Sequence, residues 1–290
     1  MTPILVDIKD ALHRELTAGK SMGWDMILFP TPAFRRMLLV GLGTAVAQQA
    51  VGIEAVQYFL VFILNETGIH SRAAQTGILM FLGFIKLMFV VLGGKLFDRK
   101  GRRPLFFVSL CGMAAALILL SINFYGDSSS PGFTIFGLTL YLAFFSVGMG
   151  PGAWLIPSEV FATCIRAKAM SVATFLNRAT ATLMTSTFLS TANAMSWAGF
   201  FFLLALVCLI VLVFLFFFLP ETKGRSLEDM SIYFAEITGD RKILDAEARI
   251  TREREAVELA QRNAPQFEPL KARDIPREQL PDAHASGTMA

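Results

Sequence analysis

Residues 197–219 read WAGFFFLLALVCLIVLVFLFFFL, 23 positions without one charged side chain. An α-helix rises 1.5 Å per residue and a bilayer's hydrocarbon core is about 30 Å thick, so about 20 mostly apolar residues cross it. Working outward from this stretch, five more apolar runs lie near 37–64, 74–97, 104–125, 133–156 and 168–191. The composition agrees, with 54% hydrophobic residues, 27 Phe and a mean hydropathy of +0.55. Buried helices of a large soluble protein supply one or two such runs, not six separated by short polar loops. The chain therefore reads as an all-α membrane protein. A six-helix bundle spans 34–219, a cytosolic linker region 1–33, and a cytosolic tail 220–290.

The placement of charge says more than the net charge of +3. Arg35 and Arg36 precede the first run, Arg99, Lys100, Arg102 and Arg103 follow the second, Arg166 and Lys168 follow the fourth, and Lys223 and Arg225 follow the sixth. The opposite loops hold only Arg72. The excess of Lys and Arg on one side predicts that both termini are cytosolic. In the linker region Ile4, Ile8, Leu12 and Leu16 form one apolar stripe, which predicts a short amphipathic helix before the turn Phe29-Pro30-Thr31-Pro32. The tail reads as helix to about 262 and as disorder after Pro265. No cleavable signal peptide is expected, because the first apolar run starts late and follows Asp7, Lys9, Asp10, Arg14 and Glu15. Cys111, Cys164 and Cys208 lack metal-ligand spacing and read as packing residues, and His13, His70 and His284 are scattered. No metal, cofactor or nucleic acid is expected. The sequon Asn65-Glu66-Thr67 lies too near the membrane for use.

Three runs carry a charge near their centre: Glu54, Lys86 and Arg178. Each costs roughly 2.5–3.5 kcal/mol at mid-bilayer on insertion scales, so such residues typically line a polar cavity. Gln48 and Gln49 share a run with Glu54, and their amides suit a polyhydroxylated ligand, whose hydroxyls each need a donor and an acceptor. Gln side chains also bond across membrane helices, so helix–helix adhesion is the alternative. Two runs contain breakers. Gly52 interrupts the first and Gly150-Pro151 the fourth, inside Gly148–Gly152. Breaks free backbone groups that bond elsewhere, often around a cavity. On a straight helix Gln49 and Glu54 point about 140° apart, so both face one pocket only if the helix bends near Gly52.

Five motifs carry a resemblance: Gln48-Gln49-Ala50-Val51-Gly52-Ile53-Glu54, Asp98-Arg99-Lys100-Gly101-Arg102-Arg103, Gly150-Pro151-Gly152-Ala153-Trp154, Ser158-Glu159-Val160-Phe161 with Arg166, and Pro220-Glu221-Thr222-Lys223-Gly224-Arg225. With them, residues from about 29 to 235 resemble the carboxyl-terminal half of the sugar-porter branch of the major facilitator superfamily. Glu54, Lys86 and the pair Asn177-Arg178 are similar to plant-type polyol and monosaccharide proton symporters, whereas hexose carriers usually have Asn, Asn and Trp at positions 54, 86 and 178. The resemblance departs at Val51, where that motif usually has Ser, and at Glu54, where it usually has Asp.

The resemblance implies sugar or polyol contacts for Gln48, Gln49, Glu54, Lys86, Trp154, Asn177 and Arg178. Trp154 can stack on C–H surfaces or serve as an interfacial belt residue. Glu54, Lys86 and Arg178 can pair with one another, or present charged partners to hydroxyls, or both. The resemblance also implies an ion-pair latch from Asp98, Arg102, Arg103, Glu159, Arg166 and Glu221, with topology setting as the plainer role of those basic loops. The family fold has two halves with the path between them, so a second six-helix half is an expected partner, beside the bilayer, the sugar and a proton. No residue here replaces the proton-coupling carboxylate of the other half. Transport of polyols or monosaccharides by alternating access is the expected function. An organic-anion carrier and a non-transporting sugar sensor or assembly partner are the alternatives. The spans offer no Ser-His pair, metal-ligand set or paired carboxylates, so an enzyme is not expected.

Overall fold

Apolar runs of this length can satisfy their backbone in a bilayer only as helices, and helices are what they form. The structure, a computed structural model, describes residues 24, 27–125, 130–163, 165–240 and 252. The chain divides into units Met1–Ala248 and Arg249–Ala290, and every element below belongs to the first. The amphipathic helix of the linker, the helix and disorder of the tail past 240, and Cys164, His13 and His284 fall outside the described residues, Arg252 apart.

The helices run α1 Pro32–Ala50, α2 Ile53–Tyr58, α3 Leu60–Glu66, α4 Arg72–Lys100, α5 Arg102–Asn123, α6 Pro131–Val147, α7 Met149–Val160, α8 Arg166–Phe218 and α9 Leu227–Thr238. By length and composition Pro32–Tyr58, Arg72–Lys100, Arg102–Asn123, Pro131–Val160 and Arg166–Phe218 can cross a membrane. The last has 53 residues, about 80 Å if straight, far more than one crossing needs. It is two arms, 166–195 and 197–218, meeting at Ser196, whose φ of 68° and ψ of 160° are non-helical. The Ser196 hydroxyl accepts the Gly199 N–H at 3.4 Å and so caps the start of the second arm. Six rods thus stand between Pro32 and Phe218. This is an all-helical, multi-pass membrane protein.

α5 packs on α8 and α6, α1 packs on α8 and α7, and α4 leans on α6. Aromatic rings gather around the Ser196 corner. Phe188 stacks on Phe59 at 4.7 Å and meets Phe200 edge-on at 4.6 Å, beside Phe201, Phe124 and Trp197. Lipid tails are as apolar as Phe, so close packing rather than escape from water holds these rods together. α4 is the least buried rod. Beyond the bundle, α9 packs on α1 and α7 through Met230, Phe234 and Ala235. A capping box opens it: Ser226 Oγ accepts the Asp229 N–H at 3.1 Å, and Asp229 Oδ2 accepts the Ser226 N–H at 3.0 Å.

Candidate functional site

Gly52 positions the interior site. Its φ of +85° is open to glycine and strained for other residues, and it stops α1 and restarts the rod as α2. Tyr141 from α6 donates its hydroxyl to the freed Val51 carbonyl at 2.9 Å. The bend turns Glu54 back toward Gln49, and Gln49 Nε2 donates to Glu54 Oε1 at 3.1 Å. A straight helix would hold those two side chains on different faces.

Asn177, fully buried on the first arm of α8, joins the two halves of this network. Its Nδ2 donates to the Ala45 carbonyl at 2.7 Å and to Gln48 Oε1 at 2.9 Å. Its Oδ1 accepts from Gln49 Nε2 at 3.2 Å and from Arg178 Nε and Nη2 at 3.0 and 2.6 Å. Gln48 Nε2 donates to the Gly150 carbonyl at 2.9 Å and the Met149 carbonyl at 3.4 Å. Arg178 Nη1 pairs with Glu54 Oε1 at 2.7 Å. The result is one chain of amides and ions running from α7 through Gln48, Asn177, Gln49 and Glu54 to Arg178. Gln49 Oε1 is buried and finds no hydrogen-bond partner among the described residues.

Two of the expected site residues stand apart from that chain. Lys86 forms no ion pair with Glu54; its Nζ donates to Gln57 Oε1 at 3.2 Å, because α4 presents it to the last turn of α2. Trp154 is half-buried on α7, and no hydrogen bond joins it to the network. The second break falls at the first residue of the Gly148–Gly152 stretch. The chain departs from helical geometry at Gly148 (φ −125°, ψ −71°), and Gly150 and Pro151 lie in the first turn of α7. Pro151 is tolerated there because first-turn N–H groups have no intrahelical acceptor anyway. The first free N–H, that of Met149, goes to Ser109 Oγ at 3.2 Å, and that hydroxyl donates to the Phe144 carbonyl at 2.7 Å.

A second cluster gathers at the membrane edge where α4 ends and α5 begins. Arg102 clasps Glu159 through Nε at 3.2 Å and Nη2 at 2.7 Å, and the Thr222 hydroxyl donates to Glu159 Oε2 at 2.5 Å. Glu221 meets Arg102 and Arg103 otherwise than expected. It accepts their backbone N–H groups at 3.0 and 3.1 Å, and that of Lys223 at 3.0 Å. These are the first amides of α5, so Glu221 is a helix cap supplied by a distant segment. Gly101 makes room for it: φ is +93°, and a Cβ there would lie 3.0 Å from Glu221 Oε2. Burial pushes the Glu221 carboxyl up, but the three N–H donors and the Arg102 charge outweigh this and hold it below the usual carboxylate range. Lys223 Nζ closes the other helix by donating to the Arg99 carbonyl at 2.7 Å near the end of α4. Asp98 is exposed and forms no ion pair with Arg102 among the described residues. Arg166 forms none with Glu159, whose carboxylate is already held by Arg102 and Thr222, and its Nε finds no hydrogen-bond partner there.

Sequence reasoning passed over Gln57, Tyr141, Ser109 and Thr222. Tyr141 carried a weak signal, a phenol in a run otherwise nearly free of hydrogen-bonding rings. Thr222 sat unused between two charged residues of its motif.

Residues 2–234 match the family described as "Sugar (and other) transporter". The chain belongs to the sugar transporter family of the major facilitator superfamily. It is 35% identical over 258 residues to "Probable polyol transporter 4" of Arabidopsis thaliana, covering 84% of this chain and 48% of that one. It is 36% identical over 234 residues to "Putative polyol transporter 1" of the same plant, covering 78% and 46%. Among solved structures, the inward-open xylose transporter XylE from E. coli superposes with a TM-score of 0.58 at 27% identity, over 79% of this chain and 46% of that one. XylE with bound 6-bromo-6-deoxy-D-glucose gives 0.66 at 24% identity, over 80% and 49%. The chain spans about half the length of the curated relatives it matches, and its bundle corresponds to about half of the XylE fold. It belongs to a family of transporters, not enzymes.

Proposed function

We propose that this chain acts as the carboxyl-terminal half of an alternating-access carrier of polyols or monosaccharides, with both termini cytosolic and proton coupling supplied by the other half. The observation that carries this reading is the buried, partnerless Gln49 Oε1 in the middle of a chain of amides and ions. A buried acceptor without a donor costs about 1–3 kcal/mol, and a ligand hydroxyl supplies that donor. Gln48 and Asn177 are engaged on both sides of it and hold it in place. Arg178 and Lys86 keep N–H donors toward a half-exposed face, where further hydroxyls can accept. Trp154 offers a ring face to the C–H side of a sugar. The sparse burial of α4 fits a helix that meets the second half of the fold.

The edge cluster has a separate part in this reading. Arg102, Glu159 and Glu221 tie the ends of α4, α5 and α7 to the segment after the last rod, so these ends rock together. Names of relatives point the same way: polyol transporters, and a "D-xylose-proton symporter-like 2" at 33% identity. An organic-anion substrate has one favouring observation. Glu54 pairs with Arg178 at 2.7 Å, and Lys86 is hydrogen-bonded to an amide rather than to a carboxylate.

The test compares an uncharged hexitol with a hexuronic acid, as binding and as uptake into proteoliposomes, with and without an imposed pH gradient. Hexitol binding that weakens about tenfold in Gln49→Leu, one lost hydrogen bond, supports the reading. Preference for the acid moves the assignment to anions. Binding without flux, with the second half also present, makes the chain a sensor.

A further inference from the structure

On the lipid side of the bundle, α5 and the second arm of α8 leave an apolar groove lined by Phe107, Cys111, Leu212, Val213, Phe216 and Phe217. Helical spacing builds it. Phe107 and Cys111 are four apart on α5, and the pairs Leu212–Phe216 and Val213–Phe217 are four apart on the facing arm. Arg103, one turn before Phe107, closes the end at the membrane edge. Its guanidinium carbon lies 5.5 Å from the ring centroids of both Phe107 and Phe216.

That guanidinium is poorly neutralised. Nη2 donates to the Phe216 carbonyl at 2.6 Å, while Nε is buried and has no hydrogen-bond partner among the described residues. Both nearby carboxylates are committed elsewhere: Glu159 to the Arg102 side chain and Thr222, Glu221 to backbone amides. Exposed Arg99, Lys100 and Lys223 at the same edge add positive potential.

We infer that this groove is a binding site for an anionic phospholipid, with one acyl chain between α5 and the second arm of α8 and the phosphate on Arg103. A groove facing the hydrocarbon layer is reached from the bilayer, and its apolar walls suit an unbranched alkyl chain. The phosphate belongs at the depth where α5 begins, opposite the unneutralised cation. Arg is suited to it because its planar fork binds phosphate oxygens in pairs. Basic pockets between membrane helices bind anionic head groups on the same principle.

The experiment measures lipid retained by the purified full chain after exchange into equimolar phosphatidylglycerol and phosphatidylcholine, read by native mass spectrometry. Phosphatidylglycerol is preferred about fivefold, the effect of one basic contact. Arg103→Gln abolishes the preference while keeping the backbone N–H that Glu221 holds. Cys111→Trp, which fills the groove, lowers retention of both lipids. Equal retention by the parent chain, or an undiminished preference in Arg103→Gln, overturns the site. So does displacement of phosphatidylglycerol by millimolar inorganic phosphate, since the head group alone would then be read.

If Arg103→Gln fails to fold, Cys111 provides a second readout in a Cys164→Ser background. Phosphatidylglycerol protects its thiol from a membrane-permeant maleimide and phosphatidylcholine does not. Equal labelling in both lipids overturns the site. Oxidative cross-linking of Cys111 between two copies, unaffected by phosphatidylglycerol, assigns the groove to a second copy of the chain and overturns it as well.

Discussion

The interior network and the edge cluster are built from the same kinds of residue and bond in opposite ways. Inside the bundle, side chains bond mainly to side chains, and the carbonyls they use come from the α1 and α7 regions: Ala45, Met149 and Gly150. At the edge, Glu221 and Lys223 reach past side chains to the backbone of helix ends. The interior leaves valences open, at Gln49 Oε1 and on the half-exposed Arg178. The Glu221 cap is saturated by three donors. An ionic residue of this protein thus either keeps valences open or is spent on a side chain or a helix end, and the sequence motif alone does not say which.

Replacing the hub of the interior network breaks the comparison hardest. Asn177→Leu strands Gln48, Gln49 and Arg178 together, and the loss is about 3 kcal/mol, since each abandoned buried group costs on the order of 1–3 kcal/mol. SDS-induced unfolding in mixed micelles measures it; a loss no larger than that of an exposed Thr174→Leu control would mean the network is not a unit.

Gly52→Ala comes next, at about 2 kcal/mol, because a left-handed backbone is strained for alanine and the new Cβ meets Leu204 Cδ2 at 2.9 Å. It also separates Gln49 from Glu54, so hexitol binding falls with stability. Retained binding would show that the bend is dispensable.

Glu221→Ala costs about 1–2 kcal/mol, the range for a lost cap. This contribution depends on pH. The native carboxyl ionises below the ordinary value of about 4.3, so its stabilisation is complete above that pH and fades as the pH falls through the lower native value. Glu221→Gln flattens unfolding curves recorded across that acid range.

The smallest effect is that of the half-exposed ion pair. Glu54→Gln with Arg178→Met loses under about 1 kcal/mol by a double-mutant cycle. A coupling of 3 kcal/mol would place the pair with the saturated edge rather than the open interior.

Much of this was legible before any coordinates. Apolar length gave the rods, and Gly52 beside two amides and a carboxylate told of a bend, because 100° per residue leaves Gln49 and Glu54 no other way to meet. Pairing of Lys86 with Glu54 was one of two readings the letters left open, since a run of apolar letters fixes depth but not azimuth; the structure gives Lys86 the Gln57 amide instead. The stretch Gly148–Gly152 located the second break but not which of its residues bends, as proline marks a helix's first turn and its break with the same letter. The edge was read as side-chain pairing because opposite charges suggest it. Backbone N–H groups at a helix start are invisible in a string of side chains, yet they took Glu221.

Ser196 joins two long rods with no linker at all. A corner of one residue keeps the end of the first rod beside the start of the second, whatever angle its two torsions take. The second rod ends just before the Glu221 cap, so the corner and the cap anchor its two ends.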